Sequence, residues 1–101
     1  MISDIICRNR MFYVMNENGK EISHEFENTL GELMSFTGTM ILFRRNRMYY
    51  MYDDRLKEIA HEFENSLGEF RSMAGNSVNF RRNRMIYTYD SRFREISHRF
   101  E

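Results

Sequence analysis

One unit of 37 residues is written almost three times in this chain, and that period limits the fold more than any other feature. Residues 44–64 (RRNRMYYMYDDRLKEIAHEFE) align without a gap to residues 81–101 (RRNRMIYTYDSRFREISHRFE), with 14 of 21 positions identical. Residues 7–37 align to 44–74 at the same offset and share RNRM, KEI, HEFEN and LGE. The units run approximately over 1–37, 38–74 and 75–101 within a single repeat domain, ten residues short of three full copies. Two expectations follow: one copy lacks its last element, or a neighbouring chain supplies it. Both predict an exposed sheet edge.

Within a unit the apolar spacing is that of strands. Ile22, His24 and Phe26 alternate with Glu21, Ser23, Glu25 and Glu27, and the pattern returns at Ile59, His61, Phe63 and at Ile96, His98, Phe100. This period of two predicts a half-buried strand with the Ile, His and Phe side chains inward and the glutamates toward solvent. Upstream, Met48, Tyr50 and Tyr52 alternate with Arg47, Tyr49 and Met51, and the aromatic density favours a second strand. Asn16-Glu17-Asn18-Gly19 is a turn signal between the two. Met40–Phe43 and Ser77–Phe80 predict a preceding strand, joined through the Arg-Asn-Arg turn, and 67–73 offers a fourth.

A helical alternative exists in the second copy, where Leu56, Ile59, Phe63, Leu67, Phe70 and Met73 also fit one stripe of a helix. Gly68 falls inside that stripe, and the first copy has Asn18-Gly19 where the second has Arg55-Leu56. Copies this similar share one fold, so the least helical copy decides. The expected fold is therefore all-β, built of tandem 37-residue β-meanders. The alternatives are a closed three-fold barrel of the β-trefoil kind and ββα repeats.

Tyr50-Met51-Tyr52-Asp53 followed by a turn and Lys57-Glu58-Ile59, and Asn18-Gly19-Lys20-Glu21-Ile22 in the first copy, resemble blades of quinoprotein-like and related β-propellers. The resemblance extends over all three copies and implies blade-like four-stranded meanders. The chain lacks the Trp that such blades commonly carry, so no cofactor or active site is transferred. A propeller generally closes with four to eight blades, so three blades point to oligomerisation, whereas the trefoil alternative would close within one chain.

Composition narrows the rest. Fifteen basic and fifteen acidic side chains cancel, so no overall field draws the protein to a polyanion or an anionic membrane. Cys7 is the only cysteine, which excludes an internal disulfide and a CxxC site. With no apolar run long enough to span a bilayer or form a secretory leader, the expectation is a cytoplasmic protein without a membrane partner. Nine Met, nine Phe and six Tyr, with no Trp or Pro, predict one adaptable, aromatic core.

Two repeated sets are candidates for a site. His24, His61 and His98 occupy one strand position, and three-fold closure could gather them as metal ligands, but the plainer reading is a locally hydrogen-bonded histidine on the inward face. The turns containing Arg8, Arg10, Arg44, Arg45, Arg47, Arg81, Arg82 and Arg84 are anion-binding candidates, since clustered guanidiniums grip phosphate or carboxylate. The bland alternative is a solvated loop making weak surface pairs. No phosphate loop, nucleophile elbow, HExxH or EF-hand pattern occurs, so the sequence points away from catalysis and away from a cofactor. The function expected is a non-catalytic repeat scaffold that associates with itself or with a protein partner. Binding of nucleic acid or another polyanion through the arginine turns is the alternative, and an enzyme is a distant third.

Overall fold

The computed structural model describes residues 1–101 and consists of three antiparallel meanders joined by single helical turns. The first sheet holds β1 (Ile2–Arg8), β2 (Met11–Asn16) and β3 (Glu21–Phe26). The turn α1 (Glu27–Leu30) leads to the second sheet, made of β4 (Glu32–Phe36), β5 (Ile41–Arg45), β6 (Met48–Tyr52) and β7 (Glu58–Phe63). The turn α2 (Glu64–Leu67) leads to the third, made of β8 (Glu69–Ala74), β9 (Ser77–Arg82), β10 (Met85–Tyr89) and β11 (Glu95–Phe100). In every sheet the strands pair in chain order, and no strand pairs outside its own sheet.

This topology bears out the all-β meander and overturns its two alternatives. Without pairing between sheets no barrel closes, so the fold is not a trefoil. The residues of the helical stripe are scattered over four elements: Leu56 in a turn, Ile59 and Phe63 in β7, Leu67 in α2, and Phe70 and Met73 in β8. Gly68, at φ 103° and ψ −155°, ends the helical turn after four residues in a conformation essentially confined to glycine. A Cβ there would lie 2.4 Å from the Arg81 carbonyl oxygen, and at Gly31 2.6 Å from that of Arg44.

Turn chemistry explains how the copies keep one shape with different residues. Asn9-Arg10, Asn46-Arg47 and Asn83-Arg84 all have positive φ at both residues, as a type I′ hairpin demands. At the other end of each hairpin an Asx turn forms: Asn16 Oδ1 accepts the amides of Asn18 and Lys20, Asp53 Oδ1 those of Arg55 and Lys57, and Asp90 Oδ1 those of Arg92 and Arg94. The residue at positive φ in these turns is Gly19, Leu56 or Phe93. Asn18-Gly19 and Arg55-Leu56 are therefore the same turn. Leu56 and Phe93 endure the left-handed backbone because their side chains pack on the cores between sheets, whereas Gly19 has nothing within reach of a Cβ.

The sheets stack face to face, giving two cores where one was expected. Between the first and second sheets lie Ile2, Phe12, Val14, Leu30, Ile41, Phe43 and Tyr52, with Phe12 edge-on to Phe43 at 5.1 Å. Between the second and third lie Met40, Leu42, Tyr49, Met51, Leu67, Val78, Phe80 and Tyr89, with Tyr49 and Phe80 at 4.8 Å. The middle sheet is covered on both sides, which is why Met40–Phe43 is a continuous apolar run: alternate residues serve opposite cores.

A bulge corrects the expected face of the outer strands. Register shifts occur between Val14 and Met15, Met51 and Tyr52, and Thr88 and Tyr89. The extra residue inserted opposite each shift is Ile22, Ile59 or Ile96, so the parity of the strand changes between this Ile and the following His. Ile22 and Ile59 pack on the cores. His24, His61 and His98 and the three phenylalanines lie on the other side and are exposed, with Phe26 at 59%, Phe63 at 60% and Phe100 at 83%.

Candidate functional site

The eight candidate arginines divide into those committed inside the fold and those left at its surface. Arg45 Nη1 donates to the carbonyls of Thr29 and Leu30 and, at 3.3 Å, to Tyr52 Oη, while its guanidinium stacks 4.0 Å above the Tyr50 ring. Arg82 repeats this with Ser66, Leu67, Tyr89 and Tyr87. Each thus satisfies the orphan carbonyls at the end of a helical turn and ties it to the next sheet. Arg44 bonds to Glu64, and Arg81 to Glu101 at 2.7 Å. Arg8 lies over Tyr13 at 5.1 Å.

Arg10, Arg47 and Arg84 are different. They occupy the tips of the type I′ turns, are exposed, and make no ion pair or aromatic stack. Their backbone carbonyls accept the amides of Glu27, Glu64 and Glu101 at 2.8, 2.9 and 3.1 Å, which fixes the tip against the end of the outer strand. Each tip thereby sits beside an exposed phenylalanine in the preceding position: Phe26, Phe63 or Phe100. In the first copy Asn9, Arg10, Phe26, Asn28 and Thr29 line a hollow of about 430 Å³. Strict alternation assigns these phenylalanines to the core, and the structure places them at the surface. Their flanking acids, as in His24-Glu25-Phe26-Glu27, are the sequence signal that the strand ends there in solvent.

The histidines do not converge on a ligand cluster, and no group of three or more His, Cys, Asp or Glu side chains is placed to hold a metal. Each Nδ1 instead pairs with the glutamate three residues earlier, at 2.7 Å for Glu21–His24 and Glu58–His61 and 2.8 Å for Glu95–His98. A local hydrogen bond is present, as the sequence led us to expect, on the outward face instead of the inward one. The rings lie beside the tyrosines of the adjacent strand, at 5.7 Å for Tyr50–His61.

A groove of about 560 Å³ opens between the second and third sheets, lined by Glu32, Met34, Arg44, Tyr49, Glu64, Asn65, Gly68, Glu69 and Phe70. Arg44 lies between Glu64 and Glu32, and its hydrogen bond holds the Glu64 carboxyl below the usual carboxylate range. Burial pushes the Tyr49 hydroxyl the other way, above its ordinary value. The position of Arg44 is taken in the first copy by Cys7, whose thiol donates to Glu27 Oε2 at 3.4 Å. Desolvation, then the hydrogen bond and charge of Glu27, raise the thiol above its ordinary range.

No helix of the chain is long and apolar enough to cross a membrane. Comparison with family models, with curated proteins and with solved structures finds no match to this chain.

Proposed function

We propose that this protein is a non-catalytic repeat scaffold that self-associates along the side of the stack where β3, β7 and β11 end. The observation that carries this reading is the threefold recurrence of one exposed phenylalanine at the end of an outer edge strand: Phe26, Phe63 and Phe100. A single exposed apolar residue needs no explanation, but the same one at equivalent places in successive sheets forms a regular apolar row. Edge strands that end in such a row favour association between like surfaces. The ionic groups in the main groove support the non-catalytic part, since a glutamate held ionised by Arg44 is poorly suited to act as a general acid near neutral pH.

Sedimentation across a wide concentration range tests this directly. A reversible rise in mass is expected for the protein, and loss of that rise for the variant carrying Phe26→Ser, Phe63→Ser and Phe100→Ser. A strict monomer at high concentration would overturn the reading.

A second reading, polyanion binding, draws support from Arg10, Arg47 and Arg84, the three arginines of the repeated turns that make no ion pair or ring stack. It expects affinity for single-stranded RNA or heparin that falls steeply with salt and disappears when all three are replaced by Ser. Salt-independent or unchanged binding would count against it. Replacing Arg44, Arg45, Arg81 or Arg82 would not test it, because those side chains hold the sheets and turns together.

A further inference from the structure

We infer that the free edge of β1 is an acceptor site for one extended strand of a partner polypeptide, with the sequence pattern found in β4 and β8. In the second and third sheets the position beside β5 and β9 is filled by β4 and β8; in the first sheet the same position, beside β1, is open. Strand β1 pairs only with β2, and the one backbone bond it makes elsewhere is Ile2 N–H to the Gly38 carbonyl at 2.9 Å. Ile6, at 38% exposed, and Cys7 face solvent where their counterparts Phe43 and Arg44 are covered or paired. An open row of amides and carbonyls is the template that strand addition uses.

The repeat specifies the occupant. In the second sheet Glu32 stands opposite Arg44, Leu33 opposite Phe43, Ser35 opposite Leu42 and Phe36 opposite Ile41. Moved back by one period of 37 residues, an incoming Glu-Leu-Met-Ser-Phe strand pairs with Cys7, Ile6, Ile5 and Asp4. Its Leu then covers Ile6. Its Met occupies the bulge and meets Leu33 and Phe36, as Met34 of β4 meets the core shared with the third sheet. Asp4 is the one residue here that resists pairing: its carboxylate takes the Ile5 amide at 2.8 Å, in place of the apolar Ile41 and Val78 of the other copies. This site is separate from the phenylalanine row, so each proposal stands or falls without the other.

The probe is a capped peptide of residues 29–38, titrated into the full chain and followed by amide hydrogen exchange. Saturable binding of one peptide per chain is expected, with exchange slowed at Ile5 and Cys7, whose amides face the open edge and alternate with those bonded to β2. Replacing the Met34 residue of the peptide by Pro removes an amide and should weaken binding tenfold or more. Register is read with peptides bearing a single activated cysteine, as the mixed disulfide with thionitrobenzoate. The Cys7 thiolate displaces thionitrobenzoate and forms the new disulfide, fastest when the cysteine replaces Glu32 of the peptide. Three results would each overturn the inference: no peptide binding, binding with unchanged β1 exchange, or β1 amides already protected by pairing with a second copy.

Discussion

Glu64 is the side chain whose ionisation is coupled most directly to the folded state. Its counterparts show how one position changes its role with its neighbour: Glu27 accepts from the Cys7 thiol, whereas Glu64 and Glu101 bond to Arg44 and Arg81. Because the folded-state pKa of Glu64 is depressed below its ordinary 4.5, the stability it contributes is present above that value and is lost as pH falls through the folded pKa. Glu64→Gln is therefore expected to melt at a lower temperature than the parent at pH 7. That difference should shrink as pH drops below 4.5 and vanish once the carboxylate is protonated, which thermal melts over a pH series will show. A gap that persists unchanged to strongly acidic pH would mean that the carboxylate charge is not what matters. At this scale the arginine turns were legible from their repetition. Which guanidiniums would be free was not, because Arg45 and Arg82 are claimed by carbonyls 15 residues earlier in the chain, and no local pattern announces that.

At the scale of elements, turns and bulges carry the fold, and they make unusual demands on individual positions. Gly68→Ala must force a Cβ against the Arg81 carbonyl while holding a glycine-only backbone, a cost of about 3 kcal/mol or more. Gly75→Ala, at φ 57° with open space around it, should cost about 1 kcal/mol. Urea unfolding of the two variants measures the contrast, and equal losses would contradict the close approach at Gly68. Phe93 offers a sharper case. Its side chain packs 6.2 Å from Phe80 while its backbone sits at φ 60°. Phe93→Ala loses the packing and keeps the strain, for about 2 kcal/mol, whereas Phe93→Gly loses the same packing and sheds about 1 kcal/mol of strain. Glycine should therefore be the milder replacement, the reverse of the order usual within strands. These positions also mark where the sequence stopped being readable. The meander was visible in alternation and turn residues, but the inserted isoleucine is an ordinary strand residue, and a single insertion moves every following side chain to the opposite face.

At the scale of the molecule, what distinguishes the three copies is how their faces are covered. The middle sheet is apolar on both sides, while the third meets a core on one side and solvent on the other. Its outward face carries Ser77, Asn79 and Thr88 where the middle sheet has Met40, Leu42 and Met51, and it is organised by hydrogen bonds from Thr88 to Asn79 at 2.5 Å and from Asn79 to Ser72 at 3.2 Å. Of the two isoleucines there, Ile96 is 60% exposed at the bulge, and Ile86 is 1% exposed between its register neighbours Arg81 and Arg99. Such a face ends a stack by satisfying its polar groups internally and offering a further sheet little to bury. The variant Ser77→Met, Asn79→Leu, Thr88→Met restores the middle-sheet residues to this surface. Made in the background of Phe26→Ser, Phe63→Ser and Phe100→Ser, which removes the proposed association row, it should convert a monomer into higher-mass species by light scattering. Burial of roughly 300 Å² of new apolar side chain corresponds to about 7 kcal/mol of gross driving force, enough for association at micromolar concentration only if little is lost to ordering. A triple variant that stays monomeric and folded would show that shape, and not the Ser72–Asn79–Thr88 network, keeps another sheet from adding to the third.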